Sequence, residues 1–470
     1  MPARDLSAIV KAYDIRGLVP QQWDASAAHD LGAAFAEVTA QDAPGGVGSP
    51  VVIGRDMRET SPELSAAFAA GIASRGRDVV DIGLACTDAV YYASGTWSCP
   101  GAMFTASHNP AGYNGIKLCR AGAKPVGQDT GLADVRRYAE AGLTPYTGPV
   151  GTIETRDILV DYSAHLRTLV DLTGARPLRV VVDAGNGMGG YVVPTVFAGL
   201  PFAIVPLFFE LDGTFPNHEP NPIDPKNLRD LSEAVIAHGA DIGLAFDGDA
   251  DRCFFVDETG TAVTPSAIVG LIADRELTRE PGATIVYNLI TSRAVPELVG
   301  ARGGRAVRTR VGHSFIKVVM AETGAIFGGE HSGHYYFREF WNADSGMLAA
   351  LHVLAALSGA PAGSTLSELV RAYERYPSSG EINTVVADVG HALDALRKVW
   401  ADRDDTVLDD LDGLTVDLPD GRFNVRPSNT EPLLRLNVEA TDAARMAELR
   451  DEVLAVITLS GSESRLAEES

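Results

Sequence analysis

The sequence LRVVVDAGNG at residues 178–187 decides the fold, because a β-branched run ends abruptly in turn-forming Asp, Gly and Asn. Similar runs occur at residues 50–56 (PVVIGRD) and 283–288 (ATIVYN). Each is followed by an Ala- and Leu-rich stretch with the spacing of a helix that has one apolar face. This pattern predicts strand–loop–helix units on mainly parallel sheets, arranged as three similar mixed α/β modules.

The pattern changes after residues 359–380. Residues 413–421 and 433–438 alternate apolar and polar side chains, which is typical of antiparallel strands around turns, and a closing helix is predicted from about Ala443. We therefore predict a fourth, α+β domain at the C-terminus. The four predicted domains cover residues 1–150, 151–258, 259–372 and 373–470.

The composition restricts the partners and the environment of the chain. Its 470 residues include 39 Lys and Arg against 62 Asp and Glu, a formal net charge of −23 that argues against nucleic acid or an anionic membrane as partner. The four cysteines show no CxxC spacing, and we find neither a signal-peptide pattern nor an apolar run of membrane-spanning length. These features predict a cytoplasmic protein with reduced thiols.

An acidic stretch, FDGDADR at residues 246–252, supplies carboxylates at alternate positions, Asp247, Asp249 and Asp251. Apolar runs on both sides predict a tight loop between two strands. Alternating carboxylates suit a hard cation such as Mg²⁺. A solvated acidic turn remains an alternative, whereas an EF-hand is excluded because Arg252 occupies a loop position at which that motif requires Gly.

A second stretch, TASHNP at residues 105–110, places Ser107 between an apolar run and a strong Asn-Pro turn signal. A serine there would be rigidly aimed, and His108 and Lys117 offer a proton acceptor and a cation nearby. The alternative is an ordinary Asn-Pro turn in which Ser and His are incidental. If the serine lies beside the predicted metal site, the pair indicates phosphoryl transfer through a serine hydroxyl.

Two further motifs follow in the chain, GEHSG at residues 329–333 and RPSNTE at residues 426–431. Together with TASHNP and DGDADR, in this order, they resemble the α-D-phosphohexomutases, specifically the phosphomannomutase/phosphoglucomutase branch. The resemblance covers essentially the whole chain. It implies four domains around one central cleft, with one loop from each domain carrying the phosphoserine, the metal, the sugar contacts and the phosphate contacts.

The resemblance also assigns roles to individual residues. The implied site residues are, for catalysis, Ser107, His108, Lys117 and Arg16; for the metal, Ser107, Asp247, Asp249 and Asp251; for the substrate, Tyr13, Arg252, Arg310, His313, Glu330 and Ser332; and for the substrate phosphate, Arg426, Ser428, Asn429 and Thr430. One position departs from the pattern, since some relatives have a substrate-contacting Lys where Ile290 aligns. Arg293 or Arg310 could compensate for that loss.

The implied activity is a phosphomannomutase that interconverts mannose 6-phosphate and mannose 1-phosphate, and glucose phosphates as well. The implied cofactors are Mg²⁺ and hexose 1,6-bisphosphate, the latter as intermediate and activator. Phosphoglucomutase or phosphoglucosamine mutase specificity is an alternative, as are a phosphatase and a non-catalytic protein that binds sugar phosphates. The oligomeric state is not indicated by the sequence.

A rival of another class comes from residues 185–190, which match the GxGxxG pattern of NAD(P)-binding oxidoreductases after a strand-like run. Glu210 follows at a suitable distance. Two features argue against this reading: Asp183 and Ala184 separate the strand from the first glycine, and only one mononucleotide-binding unit is evident.

Overall fold

The structure is a computed structural model, which describes residues 5–42, 48–401, 403–427 and 433–468. The described residues form four β-sheets, each covered by helices. The first three sheets mix parallel and antiparallel strands, and the fourth is entirely antiparallel. The predicted fold class, mixed α/β modules followed by a C-terminal α+β domain, is confirmed.

The first sheet has the strand order β1-β5-β4-β2-β3-β7, with β6 paired to β5. Strand β2 is parallel to β3 and β4, so the chain leaves β2 and β4 at the same edge, where Asp56 and Thr105 follow. Its elements are β1 (Ile15–Leu18), α1 (Ala25–Val38), β2 (Val51–Arg55), α2 (Ser61–Ala73), β3 (Val79–Leu84), α3 (Thr87–Trp97), β4 (Gly101–Phe104), β5 (Tyr113–Arg120), β6 (Lys124–Pro125), α4 (Leu132–Ala141) and β7 (Ile153–Thr155).

The second sheet has the order β12-β11-β10-β8-β9, and the run at residues 178–187 supplies its central strand β8. Strands β10 and β11 form a hairpin around the acidic loop. The elements are α5 (Leu159–Leu169), β8 (Leu178–Asp183), α6 (Gly189–Val196), β9 (Phe202–Leu207), α7 (Arg229–His238), β10 (Ile242–Phe246), β11 (Cys253–Asp257) and β12 (Ala262–Val263).

The third sheet has the order β14-β13-β15-β16-β17. The chain leaves β15 at Gly329 and enters the GEHSG turn, then returns antiparallel in β16. The elements are α8 (Pro265–Arg279), β13 (Thr284–Asn288), α9 (Ala294–Ala301), β14 (Arg305–Thr309), α10 (His313–Thr323), β15 (Phe327–Gly329), β16 (Tyr335–Phe337), β17 (Ala343–Asp344), α11 (Gly346–Gly359) and α12 (Leu366–Val370).

The fourth sheet has the order β18-β22-β21-β20-β19. The predicted alternation at residues 433–438 lies in a strand with every second residue buried, and the closing helix begins at Ala443. The elements are β18 (Ser378–Val385), α13 (Val389–Ala401), β19 (Val407–Asp409), β20 (Leu414–Asp417), β21 (Gly421–Pro427), β22 (Leu433–Ala440) and α14 (Ala443–Glu468).

A continuous apolar core joins the first three modules. Buried Tyr91 on α3, Tyr162 on α5 and Leu351 on α11 belong to it. The C-terminal domain has a separate core, in which Trp400 packs edge-on against Phe423 with ring centroids 4.9 Å apart. The predicted domain boundaries remain a prediction; β7, beyond residue 150, pairs with the first sheet, and β12, beyond residue 258, pairs with the second.

Candidate active site

The serine loop follows β4 and holds Ser107 in a backbone conformation that favours glycine, with φ +50°. The Ser107 N–H donates to Oγ1 of Thr105 over 2.8 Å, which fixes this turn. The Ser107 side chain is buried, and its Oγ donates to Oδ2 of Asp247 over 2.8 Å. A strained non-glycine residue aimed at a carboxylate is typical of a functional site.

Arg58, which the sequence reasoning missed, fixes the serine loop through hydrogen bonds to its backbone. Its guanidinium donates to backbone carbonyls of the loop, those of Ser107, Asn109, Pro110 and Tyr113, at 2.7 to 2.9 Å. Its Nε lies 3.2 Å from Oδ2 of Asp56, and both side chains are fully buried. The sequence signal is the charged stretch RDMR at residues 55–58, which begins with the last residue of β2. It places an Arg near the end of the strand but does not show which groups this Arg contacts.

The acidic loop between β10 and β11 presents three buried carboxylates, Asp247, Asp249 and Asp251, with one oxygen from each within 4.8 Å of the others. Ala250, at φ +59°, makes the turn that points alternate side chains to one side. Lys117 on β5 donates to Oδ2 of Asp249, at 2.6 Å, and to Oδ2 of Asp251. The loop therefore brings together the three aspartates among the predicted metal ligands, and the ammonium of Lys117 contacts two of them.

These contacts shift the ionisation of the cluster. Burial, reinforced by the neighbouring carboxylates, raises the pKa of Asp247 to about 7 despite Arg252. Burial opposes ionisation of Asp249 too, but the Lys117 ammonium outweighs it and holds the pKa of Asp249 below its usual value. The aspartates in turn outweigh burial and raise the pKa of Lys117, so this side chain stays protonated and offsets part of the negative charge of the cluster.

The residues present fit Mg²⁺. Within the described parts of the chain, Oδ1 of Asp249 and Oδ1 of Asp251 are buried without a hydrogen-bond partner. Buried carboxylate oxygens of this kind are costly unless a cation or a donor reaches them. Three carboxylates and a serine hydroxyl are oxygen donors of the type that Mg²⁺ prefers.

Glycines bring the loops into backbone contact. A Cβ on Gly248 would lie 2.4 Å from the carbonyl oxygen of Ser107, and one on Gly187 would lie 2.7 Å from the carbonyl oxygen of Gly248. The Met188 N–H donates to that same Gly248 oxygen over 2.9 Å. In the GxGxxG pattern at residues 185–190, Gly187 thus serves close packing against the acidic loop. Gly185 adopts φ +51°, and a Cβ on Gly190 would lie 2.3 Å from the carbonyl oxygen of Phe209, so these glycines are accounted for without a dinucleotide.

Arg252 and His108 lie between the serine and acidic loops. The Arg252 guanidinium pairs with Oδ2 of Asp247 at 2.8 Å and donates to Nδ1 of His108 at 2.7 Å. Nδ1 of His108 is also 3.2 Å from Oγ of Ser107. Burial, with the Arg252 charge, holds the pKa of His108 well below its usual value, so the imidazole is neutral. Because Arg252 can only donate, Nδ1 is an acceptor and Nε2 carries the proton.

The sugar loop presents Glu330, whose carboxylate is held from three directions. Its Oε1 accepts from Nδ2 of Asn288 at 3.0 Å and from the Gly312 N–H at 3.2 Å, and its Oε2 accepts from the Tyr336 hydroxyl at 2.5 Å. Ser332 Oγ lies 3.0 Å from Nδ1 of His334. The predicted pair Glu330 and Ser332 is therefore part of one hydrogen-bonded loop.

His334, which the sequence reasoning did not select, links this loop to the acidic loop. Its Nε2 lies 3.8 Å from Oδ1 of Asp251, and its Nδ1 lies 3.8 Å from Oε2 of Glu330. Burial lowers its pKa despite these carboxylates, so the imidazole is neutral. Its position five residues after Gly329, in GEHSGH, was visible, but the spatial contact with Asp251 was not.

The remaining predicted residues, one catalytic (Arg16) and three substrate-binding (Tyr13, Arg310 and His313), are less uniform in position. Arg16 on β1 donates to Oδ1 of Asn109 in the serine loop at 2.6 Å. Tyr13 is half-buried, and burial, with the charges of Asp14 and Glu330, raises its pKa. Arg310 is exposed, with its guanidinium 4.9 Å from the Phe315 ring centre. The His313 side chain lies outside the described residues.

Ile290 lines an open pocket between the third and fourth sheets, which Arg422 also lines. Arg293, one of the two predicted compensating cations, is instead engaged by Oε1 of Glu297 at 3.2 Å and by the Tyr376 ring at 5.0 Å. Arg422 is the buried cation that faces this pocket, and its Nη2 donates to the carbonyl oxygen of Leu289 at 2.6 Å.

Of the four predicted phosphate-binding residues, the structure describes Arg426, which lies near the end of β21. Its Nη2 donates to Oε2 of Glu381 at 2.6 Å, whereas its buried Nη1 has no hydrogen-bond partner among the residues that the structure describes. Burial lowers the pKa of Arg426 despite Glu381. The three other predicted members, Ser428, Asn429 and Thr430, lie outside the described residues.

Comparison with known proteins agrees with this architecture domain by domain. Family models described as phosphoglucomutase/phosphomannomutase match in sequence order: alpha/beta/alpha domain I at residues 7–142, domain II at 160–260, domain III at 264–376 and the C-terminal domain at 381–456.

Individual relatives match over nearly their whole length. A protein of Xanthomonas campestris named phosphohexose mutases is 42% identical over 444 residues, 94% of this chain and 97% of the relative. A phosphomannomutase of Escherichia coli is 40% identical over 460 residues, covering 95% of this chain and 98% of the relative. The crystal structure of a phosphoglucomutase/phosphomannomutase family protein from Burkholderia thailandensis has a TM-score of 0.87 at 34% identity, with 98% of both chains covered.

These matches identify an isomerase of the intramolecular phosphotransferase class, as predicted. The chain belongs to the phosphoglucomutase/phosphomannomutase family. Of the helices in the described residues, none has both the length and the apolar character needed to cross a membrane.

Proposed function

We propose that this chain is a phosphomannomutase that reversibly interconverts mannose 6-phosphate and mannose 1-phosphate, and that also accepts glucose phosphates. The observation that carries the proposal is the 2.8 Å contact between Oγ of Ser107 and Oδ2 of Asp247, inside a buried cluster of three carboxylates. The names of the relatives support mannose as the sugar.

Ser107 and the three aspartates would hold Mg²⁺. When bound, the cation would offset the charge of a phosphoserine and of the phosphoryl group in flight. Lys117 and Arg252, already paired with the same carboxylates, keep the cluster compact and close to neutral. Arg58 and Thr105 fix the backbone of the loop so that the serine oxygen keeps its direction through the cycle.

The cycle begins with phosphorylated Ser107. A free sugar hydroxyl attacks the phosphorus, the bond between phosphorus and Oγ of Ser107 breaks, and the sugar leaves this step as a hexose 1,6-bisphosphate. The bisphosphate turns end for end, and Oγ of Ser107 takes back the other phosphoryl group. The enzyme is thereby returned to its phosphorylated form, and added hexose 1,6-bisphosphate acts as activator by rephosphorylating Ser107 when an intermediate has been lost.

The proton of the attacking hydroxyl needs an acceptor. His108 is neutral and its Nδ1 lies 3.2 Å from Oγ of Ser107, but this nitrogen already accepts from Arg252, so His108 would take the proton once the Arg252 guanidinium turns to the phosphoryl group. Protonated Lys117 serves as the counter-charge and as a donor. Arg16 lies against the same loop through Asn109 and adds positive charge where the phosphate would be.

Substrate recognition falls to the third and fourth domains. Glu330 is fixed by its three donors and can accept hydrogen bonds from vicinal sugar hydroxyls. Mannose and glucose differ only at the second carbon, so a loop that reads the third and fourth hydroxyls would accept both. Nη1 of Arg426, which has no hydrogen-bond partner among the described residues, would donate to the phosphate at the far end of the sugar.

A coupled mutase assay on mannose 1-phosphate, glucose 1-phosphate and glucosamine 1-phosphate tests the proposal. We expect turnover of the first two, with mannose preferred, and dependence on hexose 1,6-bisphosphate. Faster turnover of glucosamine 1-phosphate would assign the other specificity. Binding without turnover of any of the three would instead favour the non-catalytic alternative, and release of inorganic phosphate without isomerisation would favour a phosphatase.

A further inference from the structure

The first residue of α3, Thr87, touches the acidic loop twice, although 162 positions separate the two in sequence. Its Oγ1 donates to Oδ2 of Asp249 over 2.6 Å, and its backbone N–H donates to the Asp249 carbonyl oxygen over 3.1 Å. Thr87 is fully buried. One residue thus fixes both the backbone position of Asp249 and the orientation of its carboxylate.

The orientation matters because the two oxygens of Asp249 are used differently. Oδ2 receives Thr87 and Lys117, whereas Oδ1 is buried and lacks a hydrogen-bond partner across the described ranges of the chain. Oδ1 is therefore the oxygen left for a cation. A partial rotation of the carboxylate about its Cβ–Cγ bond would lengthen the hydrogen bond from Thr87 and move the second oxygen away from its present position.

Lys117 does not fix this orientation as well as Thr87 does. Its ammonium is shared between Asp249 and Asp251, and its charge is repelled by any cation that the cluster binds. The Thr87 hydroxyl is neutral, so it can donate to Oδ2 with the site empty or filled. Hydrogen bonds of this kind to a ligating carboxylate set its direction and raise metal affinity.

Thr87 is itself held in place by its neighbour. Asp88 accepts from the Tyr162 hydroxyl on α5, over 2.8 Å, and from the hydroxyl of Ser345, the N-cap of α11. Both contacts are buried, and they tie the start of α3 to the second and third modules. The junction of three modules therefore leaves Thr87 little freedom to move away from Asp249.

We infer that Thr87 is a positioning residue that presents Oδ1 of Asp249 to the metal, and this inference rests on the proposed metal-dependent function. Thr87 contacts neither the sugar nor the phosphoryl group in that proposal. Its effect is on the affinity of the aspartate cluster for a divalent cation, and only through that affinity on turnover.

The test is titration of the full-length protein with Mn²⁺, followed by electron paramagnetic resonance, in the wild type and in Thr87→Val and Thr87→Ser. Val keeps the shape without the hydroxyl, and Ser keeps the hydroxyl without the methyl group. We expect Thr87→Val to weaken Mn²⁺ binding about 10- to 100-fold and Thr87→Ser to stay within about threefold of the wild type. The Mg²⁺ concentration for half-maximal activity should rise in the same proportion.

Thermal midpoints in EDTA separate loss of folding from loss of affinity, and Thr87→Ala is measured in parallel so that the comparison survives if Thr87→Val does not fold. Equal Mn²⁺ affinity in the wild type and in the variant without the hydroxyl would overturn the inference, as would equal losses in Thr87→Val and Thr87→Ser. A wild-type protein that binds no Mn²⁺ would overturn the proposed metal site itself, an outcome recognisable without any variant.

Discussion

Oγ of Ser107 lies 2.8 Å from Oδ2 of Asp247, although the two residues are 140 positions apart and belong to different sheets. The contact joins the turn after β4 to the hairpin between β10 and β11. A hydroxyl in this position can bond directly to a cation held by the aspartates, and so can a phosphate attached to it. The relationship between the two loops is therefore the basis of the proposed chemistry.

The first prediction concerns the spacing of these loops. Gly248→Ala would place a Cβ 2.4 Å from the Ser107 carbonyl oxygen, so the serine loop must move. We expect the thermal midpoint to fall, with a destabilisation of about 1–3 kcal/mol, and kcat to fall more than KM changes. The control is Gly300→Ala on α9, where among the described residues no heavy atom outside the adjoining residues and backbone of its own helix lies within 4 Å of the added Cβ. Equal kcat in the two variants would contradict the role of the close contact.

The second prediction concerns Arg58. Arg58→Met leaves Asp56 buried without its cation and frees the backbone carbonyls of the serine loop. Loss of one partner of a buried ion pair costs about 3–5 kcal/mol, measurable by denaturant titration. Arg58→Lys restores the charge but not the fork of donors, so stability should recover further than kcat. Arg229→Lys on the exposed face of α7 is the control and should change neither quantity.

Kinetics on the two sugars provide the third prediction. Glu330→Gln removes the charge that accepts sugar hydroxyls while keeping the side-chain shape. Hydrogen bonds to charged groups contribute about 1.5–3 kcal/mol, so kcat/KM should fall by at least about tenfold for both mannose and glucose phosphates. The control is Glu322→Gln, at an exposed position of α10. Unchanged kcat/KM in Glu330→Gln would remove Glu330 from the binding site.

The fourth prediction is a pH dependence of stability due to Asp88. Burial raises its pKa from 3.8 to about 6, while the pKa values of its neighbours Cys86 and Tyr162 are raised well above their usual values, so both stay neutral. A raised pKa in the folded state means that protonated Asp88 stabilises the fold at low pH and that this contribution is lost as the pH rises through about 6.

Between about pH 5 and about pH 7.5, the free energy of unfolding of the wild type should fall by about 1 kcal/mol relative to that of Asp88→Asn. The Asn side chain accepts the same hydrogen bonds without ionising. The difference is read from thermal midpoints of both proteins at the two pH values. Parallel curves for the two proteins would show that Asp88 does not titrate in this range.

The sequence was informative where function depends on local pattern. The run at residues 178–187 forms the central strand of its sheet, and the serine and acidic stretches form tight loops at strand ends. Arg58, Thr87 and His334 were not predicted as site residues, because each acts through a partner far away in sequence. No local pattern shows which side chains the strand order brings together. Arg58 looked like any charged residue after a strand.

The protonation states of the site residues also could not be predicted from the sequence. His108 and Lys117 were equal candidates for moving a proton when judged by spacing alone. Burial beside Arg252 makes His108 neutral, and contact with two aspartates keeps Lys117 protonated, and both effects depend on three-dimensional surroundings. The departure at Ile290 was visible in the sequence, but the approach of Arg422 from the fourth domain was not.

The most direct test of the proposed mechanism is transfer of labelled phosphate from hexose 1,6-bisphosphate to the protein, with mutase turnover measured on the same samples. The wild type should take up label at Ser107 and turn over mannose 1-phosphate. Ser107→Ala should take up none and lose at least about 10³-fold in turnover. Label that remains on the Ser107→Ala protein, or turnover close to that of the wild type, would contradict a phosphoserine at position 107.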